Sequence, residues 1–225
     1  MTYTIIDISQ PVSSTTACFP GDTPFSRQVN LRLEEGATVN LTSFTMSPHV
    51  GTHADAPSHI QGRMDDSQGM ASGMPLLPYI GPCAVLDVSP LVEGITKAHF
   101  EAAAGRLPSL PPRVVFKTRK KIRPDVWEGN YAHFTVELIE ALKEIGITMA
   151  GIDSPSVDHI DSKDLEVHHA MIGSGFSWLE NLDLTDADEG IYFLSAAPLR
   201  LTELEASPVR AVLIKDLISR QESKG

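Results

Sequence analysis

Short apolar or alternating runs recur along the chain and predict β-strands. Most span four to six residues, and several are bounded by proline or glycine, as is typical of strands in a buried sheet. One β-rich segment, Val39–Met46, leads directly into His49. The other predicted strands are Thr4–Ile8, Val29–Leu33, Cys83–Val88, Arg113–Lys117, Thr148–Ile152, Ile191–Ala196 and Val209–Ile214.

A helical period is clearest over Val136–Ile145, where apolar residues recur every three or four positions. Thr135 can cap the N-terminus of this helix, and Gly146 can take the left-handed position after its end. Ser162 offers a cap for a later helix that would carry His168 and His169. Because strands and helices interleave irregularly, the pattern favours an α/β or α+β fold and leaves open which of the two is correct.

Composition narrows the class of protein. The chain has 225 residues, of which 42% are hydrophobic and 21% charged, so we expect one globular domain over residues 1–225. Its 18 basic and 29 acidic residues give a net charge of −11, which argues against nucleic acid or an anionic membrane as a partner. The basic run at 117–121 is interpreted as a solvated strand end.

The same composition gives an expectation about location. No run approaches the roughly 18 apolar residues that a membrane span needs. Two cysteines, Cys18 and Cys83, are too few for a disulfide framework and fit reduced thiols, so we expect a cytoplasmic protein. Cys18 has no local base, which disfavours it as a nucleophile.

Four groups that commonly bind metals fall within eleven residues. His49, His53, Asp55 and His59 are spaced His-x3-His-x-Asp-x3-His. Imidazole and carboxylate are suited to zinc and related divalent ions, and a carboxylate can bridge two ions. Gly51 lets the backbone pass close to such a site. The cluster predicts a metal site, with a chance grouping of surface histidines as the alternative.

A second polar cluster could complete that site with another histidine and a carboxylate. The candidates are His168, His169 and Glu180. Adjacent helical residues point about 100° apart, so only one of the two histidines can face a metal. Asp153 and Asp158 are interpreted as turn and capping residues, and Trp178 either packs in the core or supports a carboxylate.

Other catalytic motifs are missing from the sequence. It contains no Gly-x-Gly-x-x-Gly motif, no phosphate-binding loop and no Gly-x-Ser-x-Gly elbow. Dinucleotide binding, nucleoside triphosphate binding and serine hydrolysis therefore lose support.

Together these motifs resemble the metal-dependent cyclase-like hydrolases, and within them the bacterial kynurenine formamidases (arylformamidases). The resemblance runs from Ile6 to Leu213 in the family's order. It is carried by 49–59, by the upstream Pro20-Gly21-Asp22, and by 151–158, 161–163, 168–170, 179–182 and 207–212. It implies a swivelling β/β/α-type α/β fold, a dimer or higher homo-oligomer, and a zinc cofactor, with two Zn²⁺ per subunit expected and Mn²⁺ possible.

The resemblance also implies roles for individual residues. His49, His53 and Asp55 would bind one metal, and Asp55, His168 and Glu180 a second, with both carboxylates bridging. His59 would transfer protons instead of binding metal. Phe19 stands where these formamidases commonly carry a tryptophan in contact with substrate, so an aromatic face is kept while the indole N–H is lost.

The expected reaction is hydrolysis of a small-molecule amide, N-formyl-L-kynurenine, to L-kynurenine and formate by metal-activated water. His59 would give the leaving amine its proton. One alternative is hydrolysis of isatin or of another cyclic amide or lactone at the same centre. Another is a structural metal site without catalysis, but structural zinc sites are often rich in cysteine, which this cluster lacks.

Overall fold

The computed structural model describes residues 3–62 and 68–215, so the predicted domain limits of 1 and 225 lie outside the described residues. The three helices are α1 (Lys97–Ala104), α2 (Val136–Glu144) and α3 (Glu166–Gly173). The strands are β1 (Thr4–Asp7), β2 (Ser26–Leu31), β3 (Leu41–Thr45), β4 (His53–Asp55), β5 (Ile80–Asp87), β6 (Gly94–Ile95), β7 (Arg113–Lys117), β8 (His133–Phe134), β9 (Met149–Ile152), β10 (Ser177–Leu179), β11 (Gly190–Ser195), β12 (Ala206–Pro208) and β13 (Val212–Lys215).

A mixed seven-stranded sheet organises the fold, in the order β1-β13-β11-β5-β7-β9-β10. Strands β5, β7, β9 and β10 pair in parallel, whereas β11, β13 and β1 join as antiparallel neighbours. The α/β expectation is confirmed. Among the described residues, no helix combines the length and the apolar character that crossing a membrane requires.

Alternating side chains divide the core into two layers, one on each face of the sheet. On β7, Val114 and Phe116 pack into a cluster with residues of all three helices, while Val115 packs into a second cluster. That second cluster includes Ala54 of β4, in the middle of the histidine motif. Successive strand residues point to opposite faces, so the sheet holds its helices on one side and the motif on the other.

The structure confirms the helix predicted over 136–145. It ends one residue earlier, at Glu144, and the Thr135 hydroxyl accepts a hydrogen bond from Leu138 N at 3.3 Å. Gly146 follows with φ 83°, a conformation that favours glycine.

The cap predicted for the later helix was wrong. Helix α3 is preceded by Leu165 in a left-handed conformation, and Ser162 Oγ accepts a hydrogen bond from Leu165 N instead of capping the helix itself. The Asp158 carboxylate takes over this function, accepting Val167 N at 3.1 Å and His168 N at 3.0 Å. Asp158 is therefore a capping residue, as expected.

Several predicted strand boundaries also shift, by up to three residues; β5, for example, begins at Ile80 and not at Cys83. The strand expected at 29–33 runs from Ser26 to Leu31 and pairs with β3 in a largely exposed hairpin. The final strand begins at Val212 because the residues before it bond to the segment that carries the histidine motif. Strand β12 pairs with β4, and Val209 N donates to Thr52 O.

Candidate metal centre

His53 and Asp55 of the histidine motif lie on the short buried strand β4, which has Glu180 beside it. His53 N donates to Glu180 O at 3.3 Å, and Glu180 N donates to His53 O at 3.1 Å. This bridge aligns β4 with the residue that follows β10. The Glu180 carboxylate accepts Val157 N at 2.9 Å, which fixes one of its oxygens. Two segments about 125 residues apart in the chain thereby place a histidine and a carboxylate side by side.

Asp55 lies between the histidines and offers a different oxygen to each side. Its Oδ1 is 3.0 Å from His49 Nδ1 and 3.3 Å from His53 Nε2, and its Oδ2 is 3.6 Å from His168 Nε2. Glu180 repeats this arrangement, with Oε2 3.2 Å from His53 Nε2 and Oε1 3.6 Å from His168 Nε2. Both carboxylates therefore lie between the rings of His53 and His168.

Of the remaining predicted site residues, His59 and His168 lie in the cluster and His169 does not. The His59 ring lies 4.4 Å from the His49 ring and 5.7 Å from the His168 ring. His168 is buried and faces the cluster, whereas His169 is exposed, as the turn of a helix requires of neighbours. The structure thus brings together all six residues proposed for the centre: His49, His53, Asp55, His59, His168 and Glu180.

Unpaired polar atoms in this cluster fit a metal ion. His53 Nε2, Asp55 Oδ1 and His168 Nε2 are buried without a hydrogen bond to any described residue, a costly state unless something binds them. Two sets of described residues bring their ligand atoms within 4.8 Å of one another: His49, Asp55 and His59, and His53, Asp55 and Glu180. Nitrogen and carboxylate donors of this kind suit a divalent cation.

Burial and the neighbouring carboxylates shift the pKa values of His53 and His168 in opposite directions, and the carboxylates together have the larger effect. Burial disfavours a charged His53, but Asp55 and Glu180 outweigh it and raise the pKa of His53 to about 10. Burial likewise opposes charge on His168, yet the hydrogen bond to Asp158 and the nearby carboxylates of Asp55 and Glu180 raise its pKa to about 10. A cation would take the place of these protons, so the same negative charge that holds protons would favour a metal.

Three residues of the cluster, His53, His168 and Asp55, are each oriented by a partner outside it. His53 Nδ1 lies 2.9 Å from Gly51 O, and His168 Nδ1 lies 2.6 Å from Asp158 Oδ2. Trp178 Nε1 donates to Asp55 Oδ2 at 3.1 Å. The sequence had suggested that Trp178 could support a carboxylate, and it does so, on Asp55. Such contacts hold each ring nitrogen or carboxylate oxygen aimed at the cluster.

A cavity of about 440 Å³ opens beside the cluster. Its lining includes His49, His53, His59, His168 and Glu180. Phe19 lines it as well, with its ring centroid 5.1 Å from that of Trp127 in an edge-to-face contact. Phe19 was expected at the substrate. Trp127, together with Arg119 and Asn181, was missed, because loop residues carry no period or spacing that would mark them.

The family comparison decides what kind of protein carries this cluster. A family model described as a putative cyclase matches residues 6–159. The chain belongs to this family. The resemblance found in the sequence is thereby confirmed, and the motif, His59 included, lies within the matched part.

Two known proteins are similar to this chain over most of their length. A kynurenine formamidase of Paracidovorax citrulli is 43% identical over 211 residues, covering 92% of this chain and 94% of that protein. A kynurenine formamidase of Bordetella pertussis is 40% identical over 210 residues, covering 92% and 96%.

Among solved structures, isatin hydrolase A from Ralstonia solanacearum superposes with a TM-score of 0.79 at 21% identity. The match covers 94% of this chain and 92% of that one. At this identity the likeness shows the shared fold.

Proposed function

We propose that this protein hydrolyses N-formyl-L-kynurenine to L-kynurenine and formate. The observation that carries the proposal is the 43% identity to a kynurenine formamidase across 92% of the chain. The site supports it, because a cluster of histidines and carboxylates adjoins a cavity with an aromatic wall. An aryl formamide needs both features: a centre that activates water, and a surface that holds a flat ring.

A metal cofactor is part of the proposal. His49, His53 and Asp55 would hold one ion, and Asp55, His168 and Glu180 a second, with zinc as the expected metal and manganese as the alternative. A bound divalent ion lowers the pKa of a coordinated water toward neutrality and polarises a carbonyl oxygen. The unpaired atoms His53 Nε2, Asp55 Oδ1 and His168 Nε2 support this assignment.

His59 is proposed as the group that moves the proton. The oxygen of water bonds to the formyl carbon and the C–N bond breaks, so the amine nitrogen must gain a proton as it leaves. Burial lowers the pKa of His59, which leaves its imidazole neutral and basic at pH 7. His59 would take one proton from water and return it to the amine, and the second proton leaves as formic acid ionises.

The aromatic wall is proposed to select the substrate. Phe19 is 41% exposed, and its contact with Trp127 leaves ring surface available to the cavity. Stacking or edge contacts with the aryl ring of the substrate would place its formyl group toward the histidines. Phenylalanine at position 19 keeps this apolar contact without a hydrogen-bond donor.

Hydrolysis of isatin or another cyclic amide or lactone is the second candidate, since such a ring presents the same flat face and the fold is shared with an isatin hydrolase. Product analysis separates the two. Formate and L-kynurenine from N-formyl-L-kynurenine support the first proposal. Ring opening of isatin, with no formate from the formamide, would replace it with the second.

We also propose a homodimer or higher homo-oligomer. The β2–β3 hairpin exposes apolar side chains, including Phe44 at 65% and Leu41 at 49%, which a second copy could cover. Sedimentation of the wild type and of a Phe44→Ser variant tests this, and a monomeric wild type would contradict it. A cytoplasmic location is proposed as well, supported by Cys18 and Cys83 both being free thiols.

A further inference from the structure

Asn181, directly after Glu180, has a backbone conformation that glycine would adopt more easily. Its φ is 54°, and Leu165 is the only other described non-glycine residue with positive φ. In an extended strand, residues 180 and 181 would point to opposite faces. The left-handed turn at Asn181 instead lets both residues line the same cavity.

The backbone of Asn181 is held on both sides. Its N–H donates to Ser154 O at 2.8 Å, and its C=O accepts the Thr52 hydroxyl at 2.6 Å. The Thr52 oxygen also accepts Gln10 N at 2.8 Å, which anchors this turn to the start of the chain. With both main-chain groups engaged, the side-chain amide is the polar group that Asn181 offers to the cavity, and it makes no hydrogen bond to any described residue.

We propose that Asn181 is a catalytic residue whose side-chain amide donates a hydrogen bond to the oxygen of the scissile carbonyl. As water adds to the carbonyl carbon, negative charge develops on that oxygen, and an amide donor carried on a backbone held on both sides can stabilise it. Asparagine is among the few non-glycine residues that readily adopt this conformation, so the turn can carry an amide side chain at little backbone cost. The inference rests on the proposed amide hydrolysis, because it needs a carbonyl that reacts.

Two variants separate a catalytic from a structural role. Asn181→Gly removes the amide while suiting the left-handed backbone, and Asn181→Asp keeps the shape and replaces the donor with an acceptor. We expect kcat to fall about 100-fold in both, as is usual when one donor to a developing oxyanion is removed, with KM changed less than roughly threefold. The melting temperature of Asn181→Gly should stay within about 3 °C of wild type, and its bound metal should be unchanged.

Gln10 provides the matched control, since it carries the other amide side chain among the described residues that line this cavity. If polarity of the cavity were all that mattered, Gln10→Ala and Asn181→Gly would slow turnover equally. The proposal expects Gln10→Ala to cost at least tenfold less.

Each contrary result has a distinct meaning. An Asn181→Gly enzyme within about threefold of wild-type kcat would overturn the inference while leaving formamidase activity intact. Loss of fold or of metal in that variant would also overturn it, because the side chain would then be structural. If the wild type opens isatin instead, the same variants are compared on isatin. A wild type that hydrolyses neither compound would remove the proposed function and this inference with it.

Discussion

Asp158 Oδ2 lies 2.6 Å from His168 Nδ1, and the same carboxylate accepts the backbone N–H groups of Val167 and His168. One side chain therefore caps helix α3 and fixes the ring that this helix carries into the cluster. With Nδ1 donating to Asp158, Nε2 is directed toward Asp55 and Glu180. The carboxylate that caps helix α3 therefore also orients a candidate metal ligand.

We expect Asp158→Asn to weaken metal binding about 10- to 100-fold, because the neutral amide holds His168 less firmly. Asparagine caps helices well, so stability should change little, whereas Asp158→Ala should cost a further ~1 kcal/mol of unfolding free energy. Competition with a chromophoric chelator measures the affinity. The control is Asp161→Asn, whose side chain is 88% exposed. Unchanged affinity in Asp158→Asn would show that His168 does not depend on this carboxylate.

The hydrogen bond from Trp178 to Asp55 predicts a contrast between two tryptophans. Trp178→Phe loses the donor to Asp55 Oδ2 and should lower metal affinity roughly tenfold. Trp127→Phe alters the aromatic wall of the cavity and should raise KM while leaving metal affinity unchanged. Metal titration together with steady-state kinetics on both variants checks this. Equal effects of the two substitutions on metal affinity would count against the orientation of Asp55 by Trp178.

The role of His59 can be tested by measuring metal binding and turnover separately in the same variants. His59→Ala should keep its metal and lose about 100-fold or more in kcat, the usual contribution of a positioned acid or base. Asp55→Ala and Glu180→Ala should lose metal itself. Metal analysis of the purified variants measures this directly. Loss of metal from His59→Ala would make His59 a ligand, a role that its grouping with His49 and Asp55 also permits.

The environment of His59 also predicts a pH dependence. Burial lowers its pKa from the ordinary 6.5, so the basic form persists to a lower pH than for an exposed histidine. Activity should therefore be full at pH 7 and fall only as pH drops below 6.5 and the imidazole takes up a proton. A profile of kcat/KM against pH locates this limb. An acid limb above 6.5 would contradict the neutral, buried base.

The sequence predicted those features that depend on local spacing. The period of 136–145 and its Thr135 cap require only neighbouring residues, and the four groups of the 49–59 motif are close in sequence. The partners of that motif were named from family resemblance. Spacing alone gives no reason why Glu180 should lie beside His53, since that depends on a bridge between segments about 125 residues apart.

Contacts that residue type and spacing do not reveal explain the errors. Ser162 has the residue type and position of a helix cap, but Asp158 folds back and takes the helix N–H groups first. Val209 is of a residue type common in strands, yet its N–H donates to Thr52 O and not to a neighbouring strand of the main sheet. Asn181 and Trp127 reach the cavity from irregular segments, whose conformation is fixed by tertiary contacts and not by a sequence period.

Formate release from N-formyl-L-kynurenine, measured after chelation and again after zinc or manganese is added back, tests the central claim most directly. The account predicts that chelation abolishes release and that added metal restores it with one L-kynurenine formed per formate. Formate release that is unaffected by complete removal of metal would contradict the metal centre. An absence of formate from fully metal-loaded protein would contradict the formamidase assignment.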